Sequence, residues 1–238
     1  MNIYVAIDLF LDYHINRNAS EHTLRAYSGD LTDLAGYAEG DKITEAENFD
    51  TYLLRGFISN LYEEKRSKST VERKIATFKS FFNFLLANRI ISENPAGSLK
   101  FPKKDKKLAT VFTREGVINL AETPDTSTPL GKRDRLILEI LYGTGLRVGE
   151  LEGLNISDID MSGKRIRIRG KGKKERSVPI DTFYIDLIKA YLESIPELLQ
   201  KGYAPECDAL IINRRGGRLT SRNILSVVKK YLAKAGLP

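Results

Sequence analysis

In one place along this chain the hydrophobic period drops from the helical repeat to strict alternation, and that switch sets its fold class. Through the first hundred residues apolar side chains recur at steps of three and four, as on an α-helix with one buried face. Ile3, Ile7, Phe10, Leu11 and His14 share one such face; Leu24, Tyr27, Leu31, Leu34 and Ala38 share the next, after the capping candidate Ser20. Asp50 is placed to cap a third helix with Leu53, Leu54, Phe57, Ile58 and Leu61 inside. Ser69-Thr70-Val71-Glu72 reads as a capping box that opens a fourth, with Val71, Ile75, Phe78, Phe82 and Leu85 inside. Pro95 and Pro102 in "NPAGSLKFP" end this all-α unit. In "KRIRIRGKGKKERSVPI" the pattern is different. Ile166 and Ile168 alternate with Arg165, Arg167 and Arg169, and Val178 and Ile180 alternate after the break, so two short strands form a hairpin with a basic outer face.

Helical spacing surrounds that hairpin, at 114–122, at 132–142, at 182–200 and at 220–235, the last capped by Thr220 or Ser221 and stopped by Gly236. The expected organisation is an N-terminal domain over 1–100, a lysine-rich aperiodic linker over 101–111, and a second domain over 112–238. The net charge of +7 divides unevenly: eleven Lys and Arg against fourteen Asp and Glu over 1–98, a net of −3, and twenty-seven against seventeen over 99–238, a net of +10. Residues 1–50 carry −7 and 51–98 carry +4. A basic excess confined to part of a chain fits either a polyanion partner, above all nucleic acid, or a solvated basic surface. No apolar run approaches the roughly 18 residues that a membrane span needs. The N-terminus has Asp8 and Asp12 and no basic leader, so a signal peptide is not expected. Cys207 stands alone, which points to a reducing cytoplasm.

In "LYGTGLRVGELEGL", residues 141–154, Gly143, Gly145 and Gly149 match the spacing of a dinucleotide-binding turn. That turn requires a strand before the first glycine, whereas "GKRDRLILEILY" has helical length and spacing, so a nucleotide-dependent oxidoreductase is set aside. The expectation instead is that Gly143 ends one helix as a left-handed cap and that Thr144 or Gly145 starts the next. Arg147 then lies at a helix N-terminus, where a cation needs an anion. Glu150, three residues on, supplies one internally; a phosphate shared with the helix N-terminus is the other reading. The Asp158-x-Asp160 pair suggests a turn before the hairpin rather than a metal site.

Together these residues resemble a known family. "TGLRVGELEGLNISDID" followed by "IRIRGKGKKERSVPI" is similar to the first arginine box and lysine hairpin of the tyrosine recombinases, the phage integrase family, and most of all to its Xer branch, with Arg147 and Lys171 separated by the same 24 residues. "FLDYHINRNASEHTLRAYSGDL", "SKSTVERKIATFKSFFNFLLANRIISENPA" and "LIINRRGGRLTSRNI" extend the likeness over the whole chain. The resemblance implies a mainly α fold with a small β-hairpin or sheet: a four-helix core-binding (SAM-like) DNA clamp domain, then a catalytic α+β domain. It implies a site-specific recombinase that resolves chromosome dimers, in which a tyrosine hydroxyl attacks a DNA phosphodiester to give a 3′-phosphotyrosyl link and a free 5′-hydroxyl. No metal and no cofactor are expected. The expected partners are double-stranded DNA at a specific site and the protein itself, or a related recombinase, as a tetramer on it. The expected location is the cytoplasm, on the nucleoid.

By the same resemblance Arg147 is the first family arginine and Glu150 the acid that orients it. Lys171 is either a turn lysine between two glycines or the general acid that protonates the departing 5′-oxygen. Lys173, Lys174 and Arg176 read as phosphate-positioning contacts or as solvated. Lys65, Arg66, Lys68, Arg73, Lys74 and Lys79 in the first domain, and Arg214, Arg215, Arg218 and Arg222 in the second, are the expected DNA contacts. The family's second arginine belongs to an H-x-x-R box, with the nucleophilic tyrosine beyond it. The only histidines here are His14 and His22, in the first two helices, so no such box follows the lysine hairpin, and none of the eleven tyrosines, Tyr231 included, follows a box in that position. The chain therefore reads as truncated before half of its active site and inactive in cleavage, with a non-catalytic DNA-binding regulator on the same fold as the alternative.

Overall fold

The structure, a computed structural model, describes residues 1–103, 112–169 and 175–237. The chain divides into two compact units, Met1–Lys107 and Leu108–Pro238; most of the expected linker lies outside the described residues.

The first unit holds α1 (Ile3–Asn16), α2 (Glu21–Gly40), α3 (Thr51–Glu63) and α4 (Lys68–Ala87). Ser20 caps α2, its hydroxyl accepting the Thr23 N–H at 3.2 Å, and Asp50 caps α3, accepting the Leu53 N–H at 2.7 Å. The cap of α4 differs from expectation. Ser67 is the extended residue, its hydroxyl accepting the Thr70 N–H at 3.2 Å, and Ser69 already lies inside the helix. The left-handed Lys65, at φ 57°, reverses the chain right after α3, so α4 starts at the first available hydroxyl. Phe10, Phe78, Phe81 and Phe82 are fully buried among Leu31, Leu34, Leu54 and Ile75. Inside this apolar core lies an ionic node. Asp30 of α2 pairs with Lys74 of α4 at 3.1 Å and with Arg73, and accepts the Thr77 hydroxyl at 2.9 Å; Lys74 also reaches Asp33 at 2.7 Å.

The second unit holds α5 (Arg114–Glu122), α6 (Pro129–Thr144), α7 (Val148–Gly153), β1 (Ile159–Asp160), β2 (Arg165–Arg169), β3 (Glu175–Pro179), α8 (Thr182–Glu193), α9 (Ile195–Leu198) and α10 (Ser221–Lys234). The strands form an antiparallel sheet in the order β1-β2-β3, with Ile166 opposite Val178 and Ile168 opposite Arg176. Ile166 and Ile168 are buried while Arg165, Arg167 and Arg169 are exposed, as the alternation requires. The two residues of β1 are too few to show a period in the sequence. The helix expected over 182–200 breaks at Ser194, where Pro196 opens the short α9. Thr220 caps α10. Asp158 accepts the Asn155 N–H at 3.0 Å and Asp160 the Gly163 N–H at 2.7 Å, both in turn roles.

The left-handed cap of α6 is Gly145, at φ 64°, not Gly143. Gly143 lies inside the helix, and the Tyr184 hydroxyl of α8 rests where a side chain there would be. Two glycines thus have separate tasks: one lets α8 approach α6, and the other turns the chain into α7. Among the described residues no helix is long and apolar enough to cross a membrane.

Breaking a buried ion pair by removing one partner costs about 3–5 kcal/mol. Asp30→Ala leaves Lys74 with Asp33 alone, so its expected cost is the lower end of that range, about 3 kcal/mol, read from the urea midpoint of unfolding. A loss below about 0.5 kcal/mol, typical of surface substitutions, would show that the node contributes nothing.

Candidate active site

The arginine under question sits at the start of a helix too short to stand alone. α7 has six residues, fewer than an isolated helix needs, so it must be held from outside. Leu146, Leu151 and Leu154 bury its inner side. At its C-terminal end Arg218 donates to the carbonyls of Glu152 at 2.7 Å and Leu154 at 3.1 Å and to Asn155 Oδ1 at 2.6 Å. The Ser221 hydroxyl, from the first turn of α10, donates to the Glu152 carboxylate. Arg218 therefore satisfies carbonyls that the end of the helix leaves open. It was expected as a DNA contact; its guanidinium is instead spent inside the fold.

The N-terminal end is organised by Glu150. Its carboxylate turns back to accept the backbone N–H of Arg147 at 2.8 Å, which caps the helix. The same carboxylate takes both Nη atoms of Arg176 on β3, at 2.6 and 2.8 Å, and a single Nη1 contact from Arg147 at 3.2 Å. The internal salt bridge expected between Arg147 and Glu150 is thus present, but it is the weaker of the two. Glu150 is 9% exposed while the Arg147 side chain is 82% exposed. The Arg176 fork, against the opposing effect of burial, pulls the Glu150 carboxyl from its ordinary 4.5 down to about 2, with the Arg147 N–H adding to it. The carboxylate is therefore ionised at any working pH, and among the described residues the Nε and Nη2 of Arg147 have no partner. The outcome is a guanidinium fixed at its base and open at its far edge, a form suited to an anionic oxygen.

Arg176 was expected as a phosphate contact or as solvated; its side chain is 42% exposed, and its fork is held by Glu150. The sequence held the signal. Side chains two apart on a strand share a face, and Arg176 has the same parity as the inward-facing Val178.

The other expected residues separate into three groups. Lys171, Lys173 and Lys174 lie outside the described residues. Lys74 is buried in the Asp30 node of the first unit, so the expectation that it grips DNA is wrong: desolvated and paired, its ammonium has no free side. Lys79 is half-buried, 3.3 Å from the Gly97 carbonyl and over the Phe101 ring. Lys65, Arg66 and Lys68 are exposed around the turn into α4, with Arg66 3.0 Å from Glu64, and Arg73 reaches out from the Asp30 node. Arg214, Arg215 and Arg222 are exposed on the second unit. His22 is exposed and His14 packs edge-on against Phe10 at 4.5 Å, both in the first unit.

Sequence reading also missed a second node. Asp134 on α6 accepts from Arg133 at 2.7 and 3.0 Å through one oxygen, and from the Tyr231 hydroxyl at 3.1 Å and Lys230 at 3.3 Å through the other. Arg133 recurs with Ile137 and Ile140 at steps of four and three, so a charge on the apolar face was the available clue. The node joins α6 to α10, and burial raises the pKa of Tyr231, whose hydroxyl is engaged with Asp134. Among the described residues no group of three or more His, Cys, Asp or Glu could hold a metal ion.

Comparison with known proteins gives these residues a setting. Residues 110–238 match the phage integrase family, and residues 7–89 match the phage integrase N-terminal SAM-like domain. The tyrosine recombinase XerC of Oceanobacillus iheyensis is 37% identical over 233 residues, covering 97% of this chain and 76% of that protein. The XerC of Listeria innocua is 39% identical over 230 residues, covering 96% and 76%. A crystallised lambda integrase dimer bound to a COC′ core site superposes with a TM-score of 0.70 at 16% identity, covering 100% of this chain and 83% of that one. The XerH site-specific recombinase bound to its difH substrate gives 0.68 at 24% identity, covering 93% and 66%. At those identities the two crystal structures speak for the fold alone.

Because the folded carboxyl value of Glu150 lies below the ordinary one, the pair stabilises fully above pH 4.5 and is lost as pH falls towards 2. Wild type should therefore lose stability faster than Glu150→Gln across that interval, by thermal unfolding at stepped pH. Parallel curves would mean that Glu150 titrates as it does unfolded.

Proposed function

Since this chain belongs to the phage integrase family and is a Xer-type site-specific tyrosine recombinase, we propose that Arg147 receives the scissile phosphate of duplex DNA and that Lys171 protonates the departing 5′-oxygen. Attack at phosphorus builds charge on the non-bridging oxygens, and a fork that never loses its proton stabilises that charge without a change of state. The observation that carries this reading is the geometry around Glu150, which holds the Arg147 side chain by one contact and leaves its outer edge exposed. Lys171, between Gly170 and Gly172 in the sequence that joins β2 to β3, would supply the proton that the leaving group needs.

The first unit is the core-binding clamp, with Lys65, Arg66, Lys68 and Arg73 on the duplex; Lys173, Lys174, Arg214, Arg215 and Arg222 grip phosphates from the second. The domains divide at the 101–111 segment. The biological reaction is resolution of chromosome dimers in the cytoplasm, on the nucleoid, by a tetramer of this protein or of this protein with a related recombinase. Among proteins of this fold, lambda integrase is known as a dimer bound to a COC′ core site and XerH bound to its difH substrate. The only H-x-x-R matches in the sequence, His14–Arg17 and His22–Arg25, fall in the first unit, and residues 110–238 hold no histidine, so these 238 residues are expected to bind DNA without cutting it.

Binding to duplex DNA should weaken steeply with salt, with a log–log slope near −0.9 for each phosphate neutralised. Reversing the charge of Lys65, Arg66 and Lys68 together should flatten that slope, and an unchanged slope would place the N-terminal footprint elsewhere. On a nicked suicide substrate these 238 residues should leave no covalent protein–DNA adduct after denaturation. An adduct on any tyrosine would overturn the statement that they do not cut. Joined to a family C-terminal segment bearing the H-x-x-R box and the tyrosine, the chain should cleave, and Arg147→Ala should then cost about 10²–10³ in rate. Lys171→Ala should be rescued by a 5′-bridging sulfur, whose departure needs no proton; failure of that rescue would remove the general-acid role.

A further inference from the structure

We infer that Arg176 is a positioning residue: by filling the Glu150 carboxylate with its own fork, it keeps Arg147 available for phosphate. This deepens the proposed function and rests on Arg147 as a phosphate ligand.

Arg147 and Glu150 are three residues apart at the start of one helix, an arrangement that by itself favours their mutual pairing. A carboxylate and a guanidinium pair best through two parallel hydrogen bonds. If Arg147 took both oxygens of Glu150, its fork would be occupied and turned towards the helix, with nothing left for a substrate. In the structure it does not. The two short contacts, at 2.6 and 2.8 Å, go to Arg176, which reaches across from β3, 26 residues away in sequence, and Arg147 keeps one longer contact of 3.2 Å. The Glu150 carboxylate is nearly enclosed, so it cannot turn to water in place of a cation. Removing Arg176 would leave Arg147 as the nearest cation. The expected collapse is local: the Arg147 side chain folds onto Glu150, and its exposure is lost. Two arginines on one carboxylate also leave a net positive charge at the site, which one arginine on one carboxylate does not.

A mainly structural Arg176, or one that touches DNA directly, would behave differently when Glu150 is neutralised. The test measures the salt dependence of binding of the 238-residue chain to duplex DNA of mixed sequence, with circular dichroism to confirm that each variant is folded. Arg147→Ala is expected to reduce the log–log slope by about 0.9, one phosphate contact. Arg176→Ala should reduce it by the same amount, because Arg147 is captured. Adding Glu150→Gln to Arg176→Ala should restore the slope, because the captor is gone. If Arg176→Ala does not fold, Arg176→Lys decides: lysine keeps a cation on Glu150 but no fork, so a partial loss restored by Glu150→Gln is expected. An Arg176 variant with an unchanged slope, or with a loss that Glu150→Gln does not restore, overturns the positioning role alone. An unchanged slope in Arg147→Ala overturns the reading of Arg147 as a phosphate ligand, and the inference with it.

Discussion

A single carboxylate, that of Glu150, determines what the candidate site can do. It caps α7 through the Arg147 N–H, anchors α7 to β3 through Arg176, and sets how much of the Arg147 guanidinium stays outside. Each link depends on its being ionised, and the arginine fork ensures that. A six-residue helix has no cooperative stability of its own, so its position is the sum of what grips its ends: Glu150 with Arg176 at one, Arg218 and Ser221 at the other. A catalytic arginine must be held within a fraction of an ångström, and a short helix clamped at both ends by charged hydrogen bonds achieves this more stiffly than a loop would.

The same device appears twice more. Asp30 in the first unit and Asp134 in the second are buried carboxylates that draw cations from other helices, Lys74 and Arg73 in one case, Lys230 in the other. Desolvating such groups is costly, so they are stable only when every lone pair is used. One consequence concerns the basic excess. Part of it is internal: Lys74, Arg133, Arg176 and Arg218 are committed to carboxylates or carbonyls of the fold. The basic charge left exposed is therefore smaller than a count of lysines and arginines suggests; it includes Lys65, Arg66 and Lys68 at the turn into α4 and Arg214, Arg215 and Arg222 of the second unit.

Much of the helical scaffold was legible because the clues are local. Ser20, Asp50 and Thr220 cap where the sequence places caps, and the alternation of Ile166 and Ile168 marks β2. The failures have equally definite causes. Ser67 and Ser69 offer equivalent hydroxyls two residues apart, and the left-handed turn at Lys65 chose between them. Gly143 and Gly145 are both plausible helix ends; Gly145 takes the left-handed conformation, while Gly143 gives room to Tyr184 of α8. Arg176 stands among basic neighbours, and only its parity with Val178 on β3 marks it in the sequence as a partner for a group of the fold.

The sequence by itself determined the class of fold, the two halves of the chain, the family, and the identity of Arg147 and Glu150 as partners, because periodicity, capping and short spacings are properties of neighbouring residues. The tertiary structure alone decided which distant donor each carboxylate accepts. Arg176 with Glu150, Lys74 with Asp30 and Tyr231 with Asp134 lie 26, 44 and 97 residues apart. Over such separations charge type says only that a pair is permitted; which pair forms depends on the strand or helix face that carries each group and on how fully packing removes water between them.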